Sequence, residues 1–210
     1  MRKNSKVNFR LIFITSRKLS KTPLALVVKS ACRAGVKAVQ IREKDLHASG
    51  LVKIIRDIKK ITSRFKASLI INDRLDIALL TKSNGLHIPE NGLLLSQIKK
   101  FSPGLITGKS VHSLKEARGA EKNGFDYILF GSIFKTPAKV KFGTPQGLDN
   151  LKKVCSAVNI PVFAVGGIST ARVKKCLDAG AYGVAVIRSI MKSKNMAETI
   201  KEFKNELGEL

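Results

Sequence analysis

Three side chains suited to anion binding lie close together in the sequence, at the end of one short apolar run and directly after it. Gln40, Arg42 and Lys44 alternate at this point, and in an extended chain residues i, i+2 and i+4 share a face. An unpaired arginine or lysine is costly to bury, so these side chains are expected where the core meets solvent. There they would clamp an anionic ligand. The alternative is a surface ion pair with Glu43 or Asp45.

Polar groups with complementary chemistry follow three other apolar runs. Asn72 and Asp73 come after one run, Ser110 after another, and a third leads into the segment that contains Thr136, Ala138 and Lys139. Magnesium is a hard cation that takes oxygen ligands from carboxylates, phosphates and water. If the fold brings these segments together, the residue types predict a site for a diphosphate and Mg²⁺.

Two adjacent glycines, Gly166 and Gly167, end the apolar run 161–165. Glycine lets a backbone turn tightly and approach a ligand without a Cβ in the way. A helix is predicted to begin near Ser169 or Thr170, and the free N–H groups at a helix start attract anions such as phosphate. The alternative is an ordinary connection between a strand and a helix.

The elements that position these residues alternate between extended apolar runs and amphipathic stretches. Strands are predicted at 11–15, 38–42, 68–72, 85–88, 105–108, 126–131, 161–165 and 183–187, each followed by a helix. Eight such units in 210 residues predict a single-domain α/β fold, a (β/α)8 TIM barrel over residues 1–210, with residues 1–9 as a basic N-terminal extension. In such barrels the site lies at the carboxyl ends of the strands, with phosphate often bound after strands seven and eight. Residues 132–147 form the longest predicted loop, and we hypothesise that it closes over the substrate.

The composition limits the partners that the protein is expected to have. The net charge is +24, from 39 Lys and Arg against 15 Asp and Glu, and such a charge attracts anions in general. The basic residues are scattered along predicted helices without interleaved aromatics, so no specific nucleic-acid binding is expected. No apolar run approaches the ~20 residues of a membrane span, which favours a cytoplasmic protein without membrane contact. The oligomeric state stays open, a homo-oligomer included.

Taken in order, the motifs resemble the thiamine-phosphate synthase family and its close relative, the thiazole tautomerase. The resemblance covers nearly the whole chain, and it rests on motifs that occur in the family order. These are Gln40-x-Arg42-x-Lys44, Ile71-Asn72-Asp73, Gly108-x-Ser110-x-His112, Gly131-x-x-Phe134-x-Thr136-Pro137-x-Lys139 and Val165-Gly166-Gly167-Ile168.

The resemblance implies a transferase that joins hydroxymethylpyrimidine diphosphate to thiazole phosphate, both small phosphorylated substrates. The products would be thiamine phosphate and pyrophosphate. It implies that Arg42, Lys44 and Lys139 act on the departing charge, with Mg²⁺ bound by Asp73. Gln40, Asn72 and Ser110 would hold the pyrimidine and its diphosphate. The thiazole phosphate would be bound by Thr136, the Ala138 backbone, Gly167, Ile187 and Arg188.

Four positions depart from the family patterns. Gly92 stands where the synthases have a second metal-binding aspartate, leaving Glu90 or Asn91 as substitutes. Ala138 replaces a threonine, and Arg188 replaces a serine near the thiazole phosphate. The histidine that moves a proton in the tautomerase is Ser132 here. Because Gln40, Arg42, Lys44, Asn72 and Asp73 all match the family motifs, the synthase is favoured. A tautomerase or a non-catalytic phosphate binder is the alternative.

Overall fold

Eight parallel strands close into one barrel in chain order, as the computed structural model shows. The structure describes residues 6–136 and 144–209. Each strand pairs with the next, and β8 returns to β1, where Phe13 lies opposite Val186. The strands are β1 Leu11–Ile14, β2 Ala38–Ile41, β3 Ser68–Asn72, β4 Gly85–Ile88, β5 Ile106–Val111, β6 Tyr127–Phe130, β7 Val162–Val165 and β8 Gly183–Val186.

Helices follow the strands and cover the outside of the barrel. They are α1 Leu24–Arg33, α2 Ala48–Arg64, α3 Leu75–Leu80, α4 Leu95–Phe101, α5 Leu114–Asn123, α6 Gly147–Ala157, α7 Thr170–Asp178, α8 Arg188–Met191 and α9 Met196–Leu207, with a 3-10 turn at Arg17–Leu19. Val28, Ile55 and Phe203 are examples of helix residues buried against the sheet. Among the described residues, no helix is long and apolar enough to cross a membrane.

The interior of the barrel holds a separate apolar cluster that closes the amino-terminal end. Phe9, Tyr127 and Phe163 pack there, with the Tyr127 and Phe163 rings 5.5 Å apart in a T-shaped arrangement. Gly108 makes room for this layer, because a Cβ at that position would lie 2.1 Å from Cζ of Tyr127. With this end filled by rings, the carboxyl ends of the strands are where a ligand would bind.

The predicted single-domain (β/α)8 barrel is confirmed, with three differences in detail. Strand β5 runs on to Val111, so Ser110 lies inside a strand instead of after it. A short helix, α8, was not predicted between β8 and the last helix. Residues 1–9 were predicted as a basic extension, but Val7 and Phe9 are buried in the interior cluster. Their apolar side chains fill the barrel floor, so Val7 and Phe9 are part of the core, whereas Asn8 between them is exposed.

Candidate active site

An amide pair from neighbouring strands lies at the carboxyl end of the barrel. Gln40 of β2 is 1% exposed, and its Nε2 donates to Oδ1 of Asn72 at the end of β3, 3.1 Å away. The amide oxygen of Gln40 is buried without a hydrogen-bond partner among the described residues. Buried polar groups are nearly always paired, so this oxygen is a ready acceptor for a ligand N–H group.

Arg42 and Lys44 follow Gln40 and are not engaged in the surface ion pairs that the sequence left open. Glu43 instead accepts from the Thr15 hydroxyl at 2.7 Å and from the Arg17 backbone N–H at 3.0 Å. Asp45 pairs with Arg17 at 2.5 Å. None of the ion pairs within residues 6–136 and 144–209 includes Arg42 or Lys44. The half-buried Arg42 and the exposed Lys44 are therefore available to an anion.

Thr15 and Glu43 form a support beneath Arg42 that sequence reasoning missed. The Thr15 side chain is fully buried; its oxygen accepts from the Arg42 backbone N–H at 3.1 Å and its hydroxyl donates to Glu43. The Glu43 side chain is 2% exposed. A glutamate this buried is uncommon unless it is paired, and the only sequence signal for it was its position directly after Arg42.

A second polar chain crosses β4, β5 and β6. The Tyr127 hydroxyl lies 3.2 Å from Nδ1 of His87, and Nε2 of His87 lies 2.8 Å from the Ser110 hydroxyl. Burial, with the positive charges of Arg42 and Lys109, lowers the pKa of His87 to about 3. Burial also raises the pKa of Tyr127 far above its ordinary value. Both groups are therefore neutral near pH 7, and neither had been predicted as a site residue.

The glycine pair after β7 has a different neighbour from the one expected. Gly166 and Gly167 both have positive φ, 97° and 68°. A Cβ at Gly166 would lie 2.0 Å from Oγ of Ser132, and one at Gly167 would lie 2.8 Å from Cβ of Phe134. The glycines thus allow the loop after β6 to pack against the loop after β7. Their missing side chains make space for contacts between these loops, and the binding of a phosphate at Gly167 stays a prediction.

The loops after β6, β7 and β8 are joined by further contacts. Arg172 of α7 donates to the Gly167 carbonyl at 2.6 Å, and its guanidinium lies over the Phe134 ring at 4.6 Å. The Ser189 hydroxyl donates to the Ile168 carbonyl at 2.5 Å. Ile187 and Arg188 directly precede Ser189 in the chain, and their predicted role in phosphate binding stays a prediction. Arg188 is exposed, at the first position of α8.

The remaining predicted residues of the β6 loop are only partly described. The Thr136 hydroxyl is buried, and its oxygen has no hydrogen-bond partner among the described residues. Ala138 and Lys139 lie outside the described residues, and so does the middle of the loop predicted to close over the substrate. Their roles stay predictions.

Asp73 is the metal ligand that the resemblance predicts, and alone it supplies only part of a coordination shell. It follows β3 in the left-handed conformation, with φ 69°, and its side chain is exposed. Within the described residues, no group of three or more His, Cys, Asp and Glu side chains could hold a metal ion. Mg²⁺ is usually held by one or two carboxylates together with substrate phosphates and water. The residues present therefore fit a magnesium ion that a diphosphate helps to bind.

The position of the missing aspartate is sterically closed in this chain. A Cβ at Gly92 would lie 2.6 Å from Cγ2 of Ile88, so the local backbone has no space for a carboxylate there. Glu90 is the acidic residue of this loop, and its carboxylate lies 3.8 Å from Nε2 of His112.

Fold and site together define a (β/α)8 barrel whose carboxyl-terminal mouth is lined by amides, hydroxyls and cations without an ion-pair partner in the part of the chain that the structure describes. The family model described as "Thiamine monophosphate synthase" matches residues 11–190. The chain belongs to this family, and the resemblance seen in the motifs is confirmed.

Individual relatives agree with the family assignment. A homologue from Aquifex aeolicus, provisionally named a thiamine-phosphate synthase, is 42% identical over 178 residues, which are 85% of this chain and 95% of the homologue. The thiamine-phosphate synthase of Moorella thermoacetica is 37% identical over 194 residues, 92% of each chain. Among solved structures, thiamine phosphate pyrophosphorylase from Pyrococcus furiosus superposes with a TM-score of 0.87. It is 32% identical and the match covers 96% of both chains.

Proposed function

We propose that the protein is a thiamine-phosphate synthase, a transferase of thiamine biosynthesis. It would join hydroxymethylpyrimidine diphosphate to thiazole phosphate and release pyrophosphate. Family membership supports the activity. The site observation that carries the proposal is the buried Gln40–Asn72 pair, whose unpaired amide oxygen suits the N–H groups of an aminopyrimidine.

The departing diphosphate is assigned to the cations beside this pair. In the reaction, the bond between the pyrimidine methylene and the diphosphate breaks first, and the thiazole nitrogen then captures the resulting cation. Negative charge therefore grows on the diphosphate, and preformed positive groups stabilise it most in a water-poor site. Arg42 and Lys44 would supply this charge, and Ser110 would donate to a diphosphate oxygen. Lys139 has the same predicted role.

Asp73 would hold Mg²⁺ against the diphosphate. The metal supplies positive charge that neutralises the leaving group, and its remaining ligands would be phosphate oxygens and water. The use of Mg²⁺ rests on the family and on the single exposed carboxylate of Asp73.

The phosphate of the thiazole substrate is assigned to the opposite side of the mouth. Gly167, Ile187 and Arg188 belong to the loops after β7 and β8, where barrels of this type often bind phosphate. Thr136 and the Ala138 backbone would complete this site. Arg188 replaces the hydroxyl of the family serine with a guanidinium, which binds phosphate through two parallel hydrogen bonds.

The tautomerase alternative is disfavoured by the state of Ser132. Its hydroxyl donates to the Phe134 carbonyl at 3.1 Å and lies against Gly166. A serine with this role anchors the loop, and an unactivated serine is a poor general base near neutral pH.

One assay separates the hypotheses. Purified protein is incubated with hydroxymethylpyrimidine diphosphate, thiazole phosphate and Mg²⁺, and pyrophosphate and thiamine phosphate are measured. We expect both products, and loss of both in Gln40→Leu. Pyrophosphate release at background level would refute the synthase. Conversion of the thiazole carboxylate tautomer in a parallel reaction would favour the tautomerase, and binding of thiazole phosphate without turnover would favour the non-catalytic binder.

The cytoplasmic location and the homo-oligomer stay predictions.

A further inference from the structure

Three side chains on adjacent strands form a continuous line from the barrel interior to its mouth. Tyr127 is 0% exposed and His87 is 1% exposed, whereas Ser110 is only part-buried at the carboxyl end. Register places His87 beside Gly108, and Gly108 beside Tyr127. Because Gly108 has no side chain, the Tyr127 ring reaches across β5 toward His87.

The donors and acceptors available to Tyr127, His87 and Ser110 favour one tautomer of His87. Among the residues that the structure describes, Nδ1 of His87 is the only hydrogen-bond partner of the Tyr127 hydroxyl. If that hydroxyl donates to Nδ1, the imidazole proton must be on Nε2, and Nε2–H donates to Ser110. In the other tautomer, Nδ1–H would point at the phenol oxygen, and the phenol hydrogen would be buried without an acceptor. An unmade hydrogen bond in a buried site is costly, so the first tautomer is favoured.

The favoured tautomer also determines what the Ser110 hydroxyl can do. We call the chain of hydrogen bonds from Tyr127 through His87 to Ser110 the relay. Because the Ser110 oxygen accepts from Nε2–H of His87, the Ser110 O–H is not used within the relay and can donate to a group at the mouth of the barrel. The mouth at this point also holds Asn72, which lies opposite His87 in the β3–β4 register. A donor fixed in this direction is suited to an anionic oxygen, and fixed donors need no rearrangement when charge develops.

We propose that Tyr127 and His87 are positioning residues that hold Ser110 as a hydrogen-bond donor to the diphosphate group of the substrate. The identity of the acceptor rests on the proposed function, whereas the tautomer of His87 does not. Neither Tyr127 nor His87 touches the reacting atoms in this scheme. Their effect passes through the Ser110 hydroxyl alone.

The first experiment measures the tautomer directly and needs no substrate. Protein labelled with ¹⁵N-histidine is studied by NMR at pH 7, and the His87 signals are assigned by their absence in His87→Gln. We expect Nε2 to carry the proton and Nδ1 to be an unprotonated acceptor. In Tyr127→Phe this preference should weaken. A proton on Nδ1 in the wild-type protein would overturn the proposal, and this result requires no variant of Tyr127 to fold.

The second experiment asks whether the relay acts on an anion, with magnesium pyrophosphate as the probe in calorimetric titrations. Tyr127→Phe and Ser110→Ala should each weaken binding about fivefold to tenfold, and the double variant should be no weaker than Ser110→Ala. Additive losses would overturn the relay. The matched control is Tyr182→Phe, which removes a hydroxyl that donates to the Val7 carbonyl at 3.3 Å at the barrel floor. It should change neither pyrophosphate binding nor the His87 signals. If the wild-type protein shows no turnover, the proposed function is refuted. The NMR measurement of the His87 tautomer would still test the relay in that case, because it needs no substrate.

Discussion

Replacing the buried Glu43 by glutamine should both destabilise the barrel and weaken its anion site. The carboxylate accepts from the Thr15 hydroxyl and the Arg17 backbone N–H. A hydrogen bond to a charged group contributes about 1.5–3 kcal/mol. The amide keeps one acceptor oxygen, loses the charge, and turns an N–H group toward one of the two donors. The more distant contact with the Arg17 guanidinium, at 3.9 Å, is partly exposed and adds little.

These terms give a loss of about 2–4 kcal/mol in the free energy of unfolding. For a domain of this size each kcal/mol lowers Tm by roughly 2–4 °C, so we expect Glu43→Gln to melt about 5–15 °C lower. The Arg42 backbone is bonded to Thr15, so kcat/KM for the pyrimidine diphosphate should also fall, by about tenfold. Calorimetry and the pyrophosphate assay measure the two effects.

The control is Glu202→Gln on the exposed side of α9, which should change neither quantity. A double-mutant cycle with Thr15→Val tests the mechanism, because two residues in one network should not have additive effects. If Glu43→Gln melts within about 1 °C of the wild type, or if the cycle is additive, the support beneath Arg42 is not what the distances indicate.

Three further predictions follow from the same geometry. Arg42→Ala should lower turnover at least about tenfold, equivalent to ~1.4 kcal/mol on the barrier, in the pyrophosphate assay; Arg56→Ala on α2 should not. Gly166→Ala should cost about 1–3 kcal/mol of stability, because its φ of 97° is strained for alanine and its Cβ would lie 2.0 Å from a serine oxygen. Gly119→Ala in α5, with open space around it, should be neutral or stabilising in the same thermal melts. The folded-state pKa of His87 is lowered to about 3, so the unfolded chain takes up the proton first. The free energy of unfolding should therefore fall from about pH 6.5 toward pH 3, and urea titrations should show a shallower fall in His87→Gln.

The barrel could be predicted because the hydrophobic pattern of every segment agrees with the strand or helix that it forms. Eight apolar runs alternate with amphipathic stretches, and the strands found agree with the predicted ones to within one residue at every end but one. The exception is β5, which continues through Lys109 and Ser110. Its polar residues look like a loop in the sequence, but strand pairing with β4 and β6 satisfies the backbone there.

The supporting residues of the site could not be predicted, because their roles depend on contacts distant along the chain. In the sequence Glu43 is indistinguishable from a surface charge. Its burial depends on a hydrogen bond with Thr15, which is 28 positions away along the chain. His87 and Tyr127 are 40 positions apart and meet only because strand order and register bring them together. Gln40, Asn72 and Ser110 were predictable because strand ends converge at one mouth in any such barrel.

The cations at the mouth are available because the neighbouring acids are used elsewhere. Positions 42 and 44 carry Arg and Lys, and positions 43 and 45 carry Glu and Asp. All four residues lie in the turn after β2, where Glu43 meets Thr15 and Asp45 meets Arg17, both from the turn after β1. A chain with a net charge of +24 has many lysines that attract anions weakly from solvent. What distinguishes Arg42 is that its backbone N–H is bonded to the buried Thr15, while its charge has no ion-pair partner within residues 6–136 and 144–209. A preformed charge of this kind is suited to stabilising a leaving diphosphate.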